Sequence, residues 1–333
     1  KGTMLIKPTP NSGEPAGREL LIARPRGFCA GVERAIGVVE RLLELRGAPV
    51  YVRKEIVHNQ AVVASFRKRG VIFIDELSEA PDDALVVFSA HGVSPTVRAE
   101  AERRDLEVVD ATCPLVTRVH RNVLQHARHD RPIVLIGHAG HDEVTGTMGE
   151  APDRVHLVET AADVADLPFP DDVEVAYVTQ TTLGVDETAA IVAALQDRFP
   201  NLLRPGKDDI CYATTNRQDA VTALVAAGAS HVLVVGSRNS SNSVRLCEVA
   251  RMRGAGATLV DGPDEVDVGE FESHTRIGLT AGASAPEDLV RAVAAKLGAA
   301  GWSEREVDGV EENVKFKMPR ELAALEKKIE GVE

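Results

Sequence analysis

No stretch of this 333-residue chain approaches the roughly 18 apolar residues in a row that a membrane-crossing helix needs. Aromatic residues are sparse, at 4% against 44% hydrophobic overall, so Ala, Val and Leu must do the packing. That mix suits layered α/β structure better than an all-β sandwich. Basic residues are outnumbered, 38 Lys and Arg against 51 Asp and Glu, for a net charge of −13. A chain this acidic is a poor partner for nucleic acid, whose binding runs on counterion release by clustered Lys and Arg. Cysteine is scarce, with four in the chain and no C-x-x-C pair, which argues against zinc ribbons and thioredoxin-like sites. Residues 1–18 are polar, rich in Pro and Gly, and lack the apolar centre of a signal peptide. They read as a flexible lead-in, and a cytoplasmic location is the expectation. Disulfides are uncommon in that compartment. The cysteines are therefore expected to be packed thiols, redox groups or metal ligands.

What is present is organised around Arg26-Gly27-Phe28-Cys29-Ala30-Gly31-Val32-Glu33. The apolar run Leu20-Leu21-Ile22-Ala23 predicts a strand leading into it. Val32, Ala35, Ile36, Val39, Leu42 and Leu43 predict an amphipathic helix leaving it. The pattern recurs where Val108-Val109-Asp110-Ala111-Thr112 leads into Cys113, and where Asp208-Asp209-Ile210 leads into Cys211. A first polar loop follows each cysteine at similar spacing: His58 lies 29 residues after Cys29, His141 lies 28 after Cys113, and Ser240 lies 29 after Cys211. A second polar loop holds His91 in the first unit, Thr181 in the second and Ser284 in the third. The reading is one α/β unit written three times.

The predicted boundaries are 29–112, 113–210, and 211–297 joined by 19–28, followed by a tail over 298–333. The third unit ends in a predicted helix over 287–297 and lacks the closing strand of the other two. The segment 20–23 at the far end of the chain is the candidate for that strand. Ser284 and Glu287 have the spacing of a capping box at the start of this helix. The tail contains none of the recurrent motifs and is expected to pack outside the centre.

In parallel α/β sheets, ligands bind beyond the carboxyl ends of the strands, and all three cysteines and all six polar loops fall there. Cys29, Cys113 and Cys211, one per unit, suit a shared metal centre. Three thiolates with few hard ligands nearby favour an iron–sulfur cluster or zinc. A four-iron cluster usually has four protein ligands, so three would leave one iron open. Cys247, inside a helical run away from the repeat position, reads as packing. His58, His91, His141, Ser240, Asn242 and Ser284 are neutral hydrogen-bonding groups, several beside helix N-termini, a combination suited to phosphate or diphosphate. Glu143 follows two histidines in a glycine-bounded loop. Such a glutamate is usually a solvated charge; beside a cluster and a diphosphate it becomes a candidate proton donor.

The segments RGFCAGVERAI, HNQ, SAHGVSP, DATCPLV, GHDEVTGTMGE, VTQTTL, GSRNSSNS and TAGASAP, in this order between residues 20 and 297, resemble those of the 4-hydroxy-3-methylbut-2-enyl diphosphate reductases. The resemblance implies three similar α/β domains with parallel sheets, in a pseudo-threefold arrangement around a central cavity. It implies an oxygen-sensitive [4Fe-4S] cluster held by Cys29, Cys113 and Cys211, with one open iron site. His58, His91, His141, Ser240, Ser241, Asn242 and Ser284 would bind the diphosphate, Thr181 would lie near the substrate hydroxyl, and Glu143 would deliver protons. Asp142 stands where the family has proline, and Cys247 is outside the motif set. The implied reaction is the two-electron reductive dehydroxylation of (E)-4-hydroxy-3-methylbut-2-enyl diphosphate to isopentenyl and dimethylallyl diphosphates, in the non-mevalonate isoprenoid pathway. Electrons would come from an external donor such as ferredoxin or flavodoxin. Two other classes stay open on the residues alone: a zinc-dependent hydrolase, and a non-enzymatic phosphometabolite-binding protein.

Overall fold

The computed structural model describes residues 17–330, so most of the predicted lead-in lies outside the described residues. Strand β1 (Glu19–Ile22) opens the described chain. The first unit follows as α1 (Ala30–Arg46), β2 (Val50–Arg53), α2 (Gln60–Lys68), β3 (Val71–Ile74), β4 (Leu85–Phe88), α3 (Pro95–Arg103) and β5 (Glu107–Asp110). The second comprises α4 (Pro114–Ala127), β6 (Ile133–Ile136), α5 (Asp142–Met148), β7 (Val155–Val158), β8 (Ala176–Thr179) and α6 (Val185–Arg198). The third comprises α7 (Tyr212–Ala226), β9 (His231–Val235), α8 (Ser241–Met252), β10 (Gly256–Val260), β11 (Arg276–Ala281) and α9 (Glu287–Ala299). The chain closes with β12 (Ser303–Glu306) and α10 (Arg320–Glu330).

Three parallel sheets result, ordered β3-β2-β4-β5, β7-β6-β8 and β10-β9-β11-β1-β12. Strands such as β4 (LVVF) and β6 (IVLI) are buried at every residue, as parallel strands covered on both faces require. Each sheet accordingly carries a separate apolar cluster on either side. Among the described residues no helix is long and apolar enough to cross a membrane.

The strand missing from the third unit is supplied from the start of the chain. β1 pairs in parallel with β11, Leu20 opposite Ile277 and Ile22 opposite Leu279. Three other expectations need correction. The segment 208–210 is not a strand, and the second sheet keeps three strands plus a single bridge from Ala176 to Leu203. Its sequence Arg204-Pro205-Gly206-Lys207-Asp208-Asp209 has no apolar run to bury and a proline that cannot donate to a ladder. Asp209 instead accepts from the Thr179 amide (3.3 Å) and from Asn122 Nδ2 (3.2 Å). The capping box at 284–287 does not form: Pro286 is the N-cap, Ser284 Oγ donates to His58 O (2.8 Å), and Glu287 pairs with Arg26 (2.7 Å).

The tail is the third correction. β12 joins the third sheet beside β1, while Leu322 and Leu325 of α10 are buried in the core of the first unit. Between them the chain crosses the centre of the molecule, where Phe316 lines the cavity. The tail has no site motif, but its apolar Leu322 and Leu325 need a partner surface, and they find it on the first unit.

Leu20 is fully buried in the third unit's core although it precedes the first unit in sequence. Leu20→Ala should cost about 2–5 kcal/mol. Amide exchange should rise in β9 to β11 and stay slow in β2 to β5; the reverse pattern would place β1 energetically with the first unit.

Candidate active site

The three cysteines occupy equivalent places, as the N-cap residues of α1, α4 and α7. Each backbone amide is anchored on the second polar loop of the preceding unit. Cys113 N donates to Ala90 O (2.9 Å), Cys211 N to Thr181 O (3.0 Å), and Cys29 N to Ala283 O (3.1 Å). The side chains turn into one central cavity, which also receives every polar loop residue singled out from the sequence. Its empty volume, counted out through the open mouth into solvent, is about 760 Å³.

On one side of the cavity lie the thiols. A Cβ built on Gly31 would come within 2.7 Å of Cys113 Sγ and 3.8 Å of Cys29 Sγ, so the glycine keeps the space between these sulfurs clear. Cys211 Sγ accepts from Thr214 N (3.3 Å). Desolvation pushes the Cys113 thiol up to about 12 and the Cys211 thiol to about 11, with the Cys29 thiol adding repulsion in both cases. Desolvation also raises Cys29, opposed by the charge of Arg217. Three thiols that cannot ionise separately in this space are what a soft metal centre would stabilise together. The donor set and the clear space beside Gly31 fit such a centre. Cys247 is buried in an apolar cluster of the third unit, away from the cavity.

The other polar residues of the cavity have the chemistry that suits an anion. The rings of His58 and His91 stack with centroids 3.9 Å apart, and His141 meets them edge-on at 5.2 and 5.8 Å. Each ring is oriented from behind. His58 Nδ1 meets Glu55 Oε2 (3.2 Å), His91 Nδ1 meets Ser89 Oγ (3.3 Å), and His141 Nδ1 accepts from Glu143 N (3.1 Å). Desolvation holds His91 well below the usual histidine range and brings His141 down to about 4. Both are neutral near pH 7, and the proton on His141 sits on Nε2, free to donate. Ser240 caps α8, its Oγ accepting from Ser243 N (3.4 Å), and Ser241 Oγ accepts from Thr182 Oγ1 (3.1 Å). Asn242 Oδ1 accepts from Ala283 N (2.9 Å), while its buried Nδ2 has no acceptor among the described residues. An orphaned donor in a cavity wall is costly unless a ligand accepts from it.

Glu143 lines the same cavity and is 3% exposed. Its Oε1 accepts from Thr181 N (2.7 Å) and its Oε2 from Thr181 Oγ1 (2.9 Å). Desolvation outweighs these bonds and raises the carboxyl to about 6. A buried carboxylic acid poised near neutrality in a cleft is a typical acid–base group.

Tyr212, Thr214 and Phe316 are among the cavity residues that escaped the sequence reading. Tyr212 OH accepts from Ala30 N (3.3 Å), tying α7 to α1, and its position directly after Cys211 was the only local signal. Phe316 had none, because its place depends on the path of the tail.

Comparison with known proteins agrees with this geometry. A family model described as "LytB protein" matches residues 20–298. A 4-hydroxy-3-methylbut-2-enyl diphosphate reductase of Azoarcus sp. (strain BH72) is 58% identical over 305 residues, covering 91% of this chain and 97% of the relative. The corresponding reductase of Bordetella pertussis is 55% identical over 319 residues, covering 96% and 98%. The solved E-1-hydroxy-2-methyl-but-2-enyl-4-diphosphate reductase of Plasmodium falciparum superposes with a TM-score of 0.92 at 39% identity, covering 94% of this chain and 99% of that one. With the family model spanning all three units and relatives of this identity aligned nearly end to end, the chain belongs to the LytB protein family.

Proposed function

We propose that this protein is a 4-hydroxy-3-methylbut-2-enyl diphosphate reductase, removing the allylic hydroxyl of (E)-4-hydroxy-3-methylbut-2-enyl diphosphate to give isopentenyl and dimethylallyl diphosphates. The observation that carries this reading is the placing of three thiols, a cluster of imidazole, hydroxyl and amide groups and a buried acid on the walls of one cavity. The reaction consumes two electrons and two protons; one proton leaves with the hydroxyl as water and the other ends on the allyl carbon framework. A [4Fe-4S] cluster on Cys29, Cys113 and Cys211, with one iron free of protein ligands, would supply the electrons and a Lewis-acidic position. The electrons would come from an external donor such as ferredoxin or flavodoxin, and the expected place of action is the cytoplasm.

The chain's own residues hold the substrate and move the protons. His58, His91 and His141 present ring nitrogens to the diphosphate, and Ser240, Ser241, Asn242 and Ser284 supply hydroxyl and amide donors. The N-termini of α2 and α8 add a partial positive charge without a full cation. Thr181 hydrogen-bonds both Glu143 oxygens from one side, which leaves the carboxyl's protonation edge to face the substrate hydroxyl. Glu143 then gives its proton to the departing oxygen.

Glu143→Gln keeps the size but not the acidity. Turnover should fall about 10²–10⁴-fold while iron and sulfide content stay full and substrate affinity changes much less. Below about pH 6 the free protein carries the Glu143 proton and above it the proton is lost. In the wild type kcat/KM should therefore decline as pH rises through about 6, and the glutamine variant should lack that limb. Normal turnover in fully loaded Glu143→Gln protein would remove this residue from the proton path.

Serine in place of Cys29, Cys113 or Cys211 should abolish iron and sulfide loading in anaerobic reconstitution, since serine is a harder and less acidic ligand. Cys247→Ala should load like wild type. Colourless protein with stoichiometric zinc would instead support the hydrolase reading, and protein that binds no metal would support the binding-protein reading.

Gly31→Ala tests the space between the sulfurs. Its backbone sits at the start of α1, where alanine is well tolerated. The added methyl meets Cys113 Sγ. Reconstituted iron should drop sharply with little change in the melting temperature of the apoprotein; full loading would show that the space is not needed.

A further inference from the structure

Three arginines to which the sequence reading gave no role occupy similar positions in the repeat. Arg34 lies five residues after Cys29, Arg118 five after Cys113, and Arg217 six after Cys211. Each projects from the helix its cysteine caps to the backbone that enters the next cysteine. Arg34 Nη1 donates to Thr112 O (3.0 Å), the carbonyl immediately before Cys113. Arg118 Nη2 donates to Asp208 O (2.5 Å), three residues before Cys211. Arg217 donates to Gly27 O through Nε (3.1 Å) and Nη2 (2.7 Å), and to Phe28 O through Nη2 (3.3 Å), just before Cys29. The three contacts close a ring.

The C-terminal segment locks two members of that ring. Arg34 Nε donates to Lys317 O (2.8 Å). Glu312 pairs with Arg217 Nη1 (3.0 Å) and also accepts from Asn216 Nδ2 (3.0 Å). Arg217 is fully buried, and Glu312 is the carboxylate that compensates it. A buried ion pair is a poor device for stability alone, because desolvation offsets the attraction. The planar five-donor fork of a guanidinium is, however, well suited to fixing several carbonyls in one geometry. Gly27, at φ +69, makes the turn whose carbonyl this fork holds.

We propose that Arg34, Arg118 and Arg217 form a ring of positioning residues that holds each cysteine turn against the neighbouring cysteine-headed helix, and that the 312–317 segment is the clasp that keeps the ring closed around the cluster. The inference rests on the assignment of a cluster to Cys29, Cys113 and Cys211. It gives the tail a part in retaining the metal centre, with no contact to substrate by these arginines. Outer groups that orient metal ligands typically contribute about 10–100-fold in metal retention.

The test uses reconstituted full-length protein under anaerobic conditions. Iron and sulfide per chain are measured, then the rate at which a strong iron chelator strips the metal, then the melting temperature of the apoprotein. Arg118→Met removes the half-exposed member, and the paired change Arg217→Met with Glu312→Leu replaces the buried ion pair by apolar groups. Both should strip about 10–100-fold faster while the apoprotein melts near the wild-type temperature. Arg121→Met, an exposed neighbour on α4, should strip at the wild-type rate. Wild-type stripping rates in both ring variants would overturn the proposal. Faster stripping that merely tracks a lower apoprotein melting temperature would overturn it too, since that is loss of fold. If the paired variant does not fold, Arg118→Met decides by the same two measurements. Wild-type protein that takes up no iron or sulfide would overturn the cluster reading and this inference with it, whereas wild-type loading with unchanged variants would overturn this inference alone.

Discussion

The amide of each cavity cysteine is bound to a carbonyl of a different unit from the helix it heads, and the centre of the molecule depends on that exchange. Cys113 hangs on Ala90, Cys211 on Thr181, and Cys29 on Ala283. A cysteine at an N-cap has a free backbone donor and a side chain that leaves the helix axis, so it can be fixed by one unit and point into the space between three. If a single unit tilted, its thiol would leave the common cavity. The seams between units are accordingly polar and specific, while each unit keeps its own apolar layers.

The cavity resolves an apparent conflict of charge. The protein carries a net charge of −13, yet a diphosphate reductase must hold a strongly anionic substrate. Distance and screening remove most of the surface charge from the problem, since the Debye length at physiological ionic strength is only about 8 Å. Locally the walls offer helix N-termini, neutral imidazoles and hydroxyls in place of lysines. Such a site would stabilise an anion by directed hydrogen bonds and leave no uncompensated cations packed together when the ligand departs. His91 and His141 stay neutral for the same reason: desolvation and neighbouring rings oppose a second positive charge.

Burial tunes the acid as well. Glu143 receives two hydrogen bonds from Thr181, which favour the carboxylate, and still ends with a raised pKa because desolvation is the larger effect. The same balance governs the thiols, raised by desolvation and by one another. Groups that would be ordinary in a surface loop become functional candidates because the three units close around them.

The sequence by itself determined the repeat, the strand-to-helix position of each cysteine, and the residues of the polar loops, because these follow from local periodicity and from residue types that only a few local structures tolerate. It also indicated that 20–23 belongs with the third unit, since a sheet lacking a strand leaves hydrogen-bonding groups that must be paired. Only the tertiary structure decided the rest. Ser284 faces His58 in place of its own helix, Arg217 reaches the Cys29 turn 190 residues away in sequence, and Phe316 and Glu312 enter from a tail without a motif. Asp208 to Ile210 fails to form a strand because Asp209 finds better partners in Thr179 and Asn122. Each of these outcomes depends on contacts between segments far apart in the chain, and no local pattern of residues carries the distance and orientation that select them.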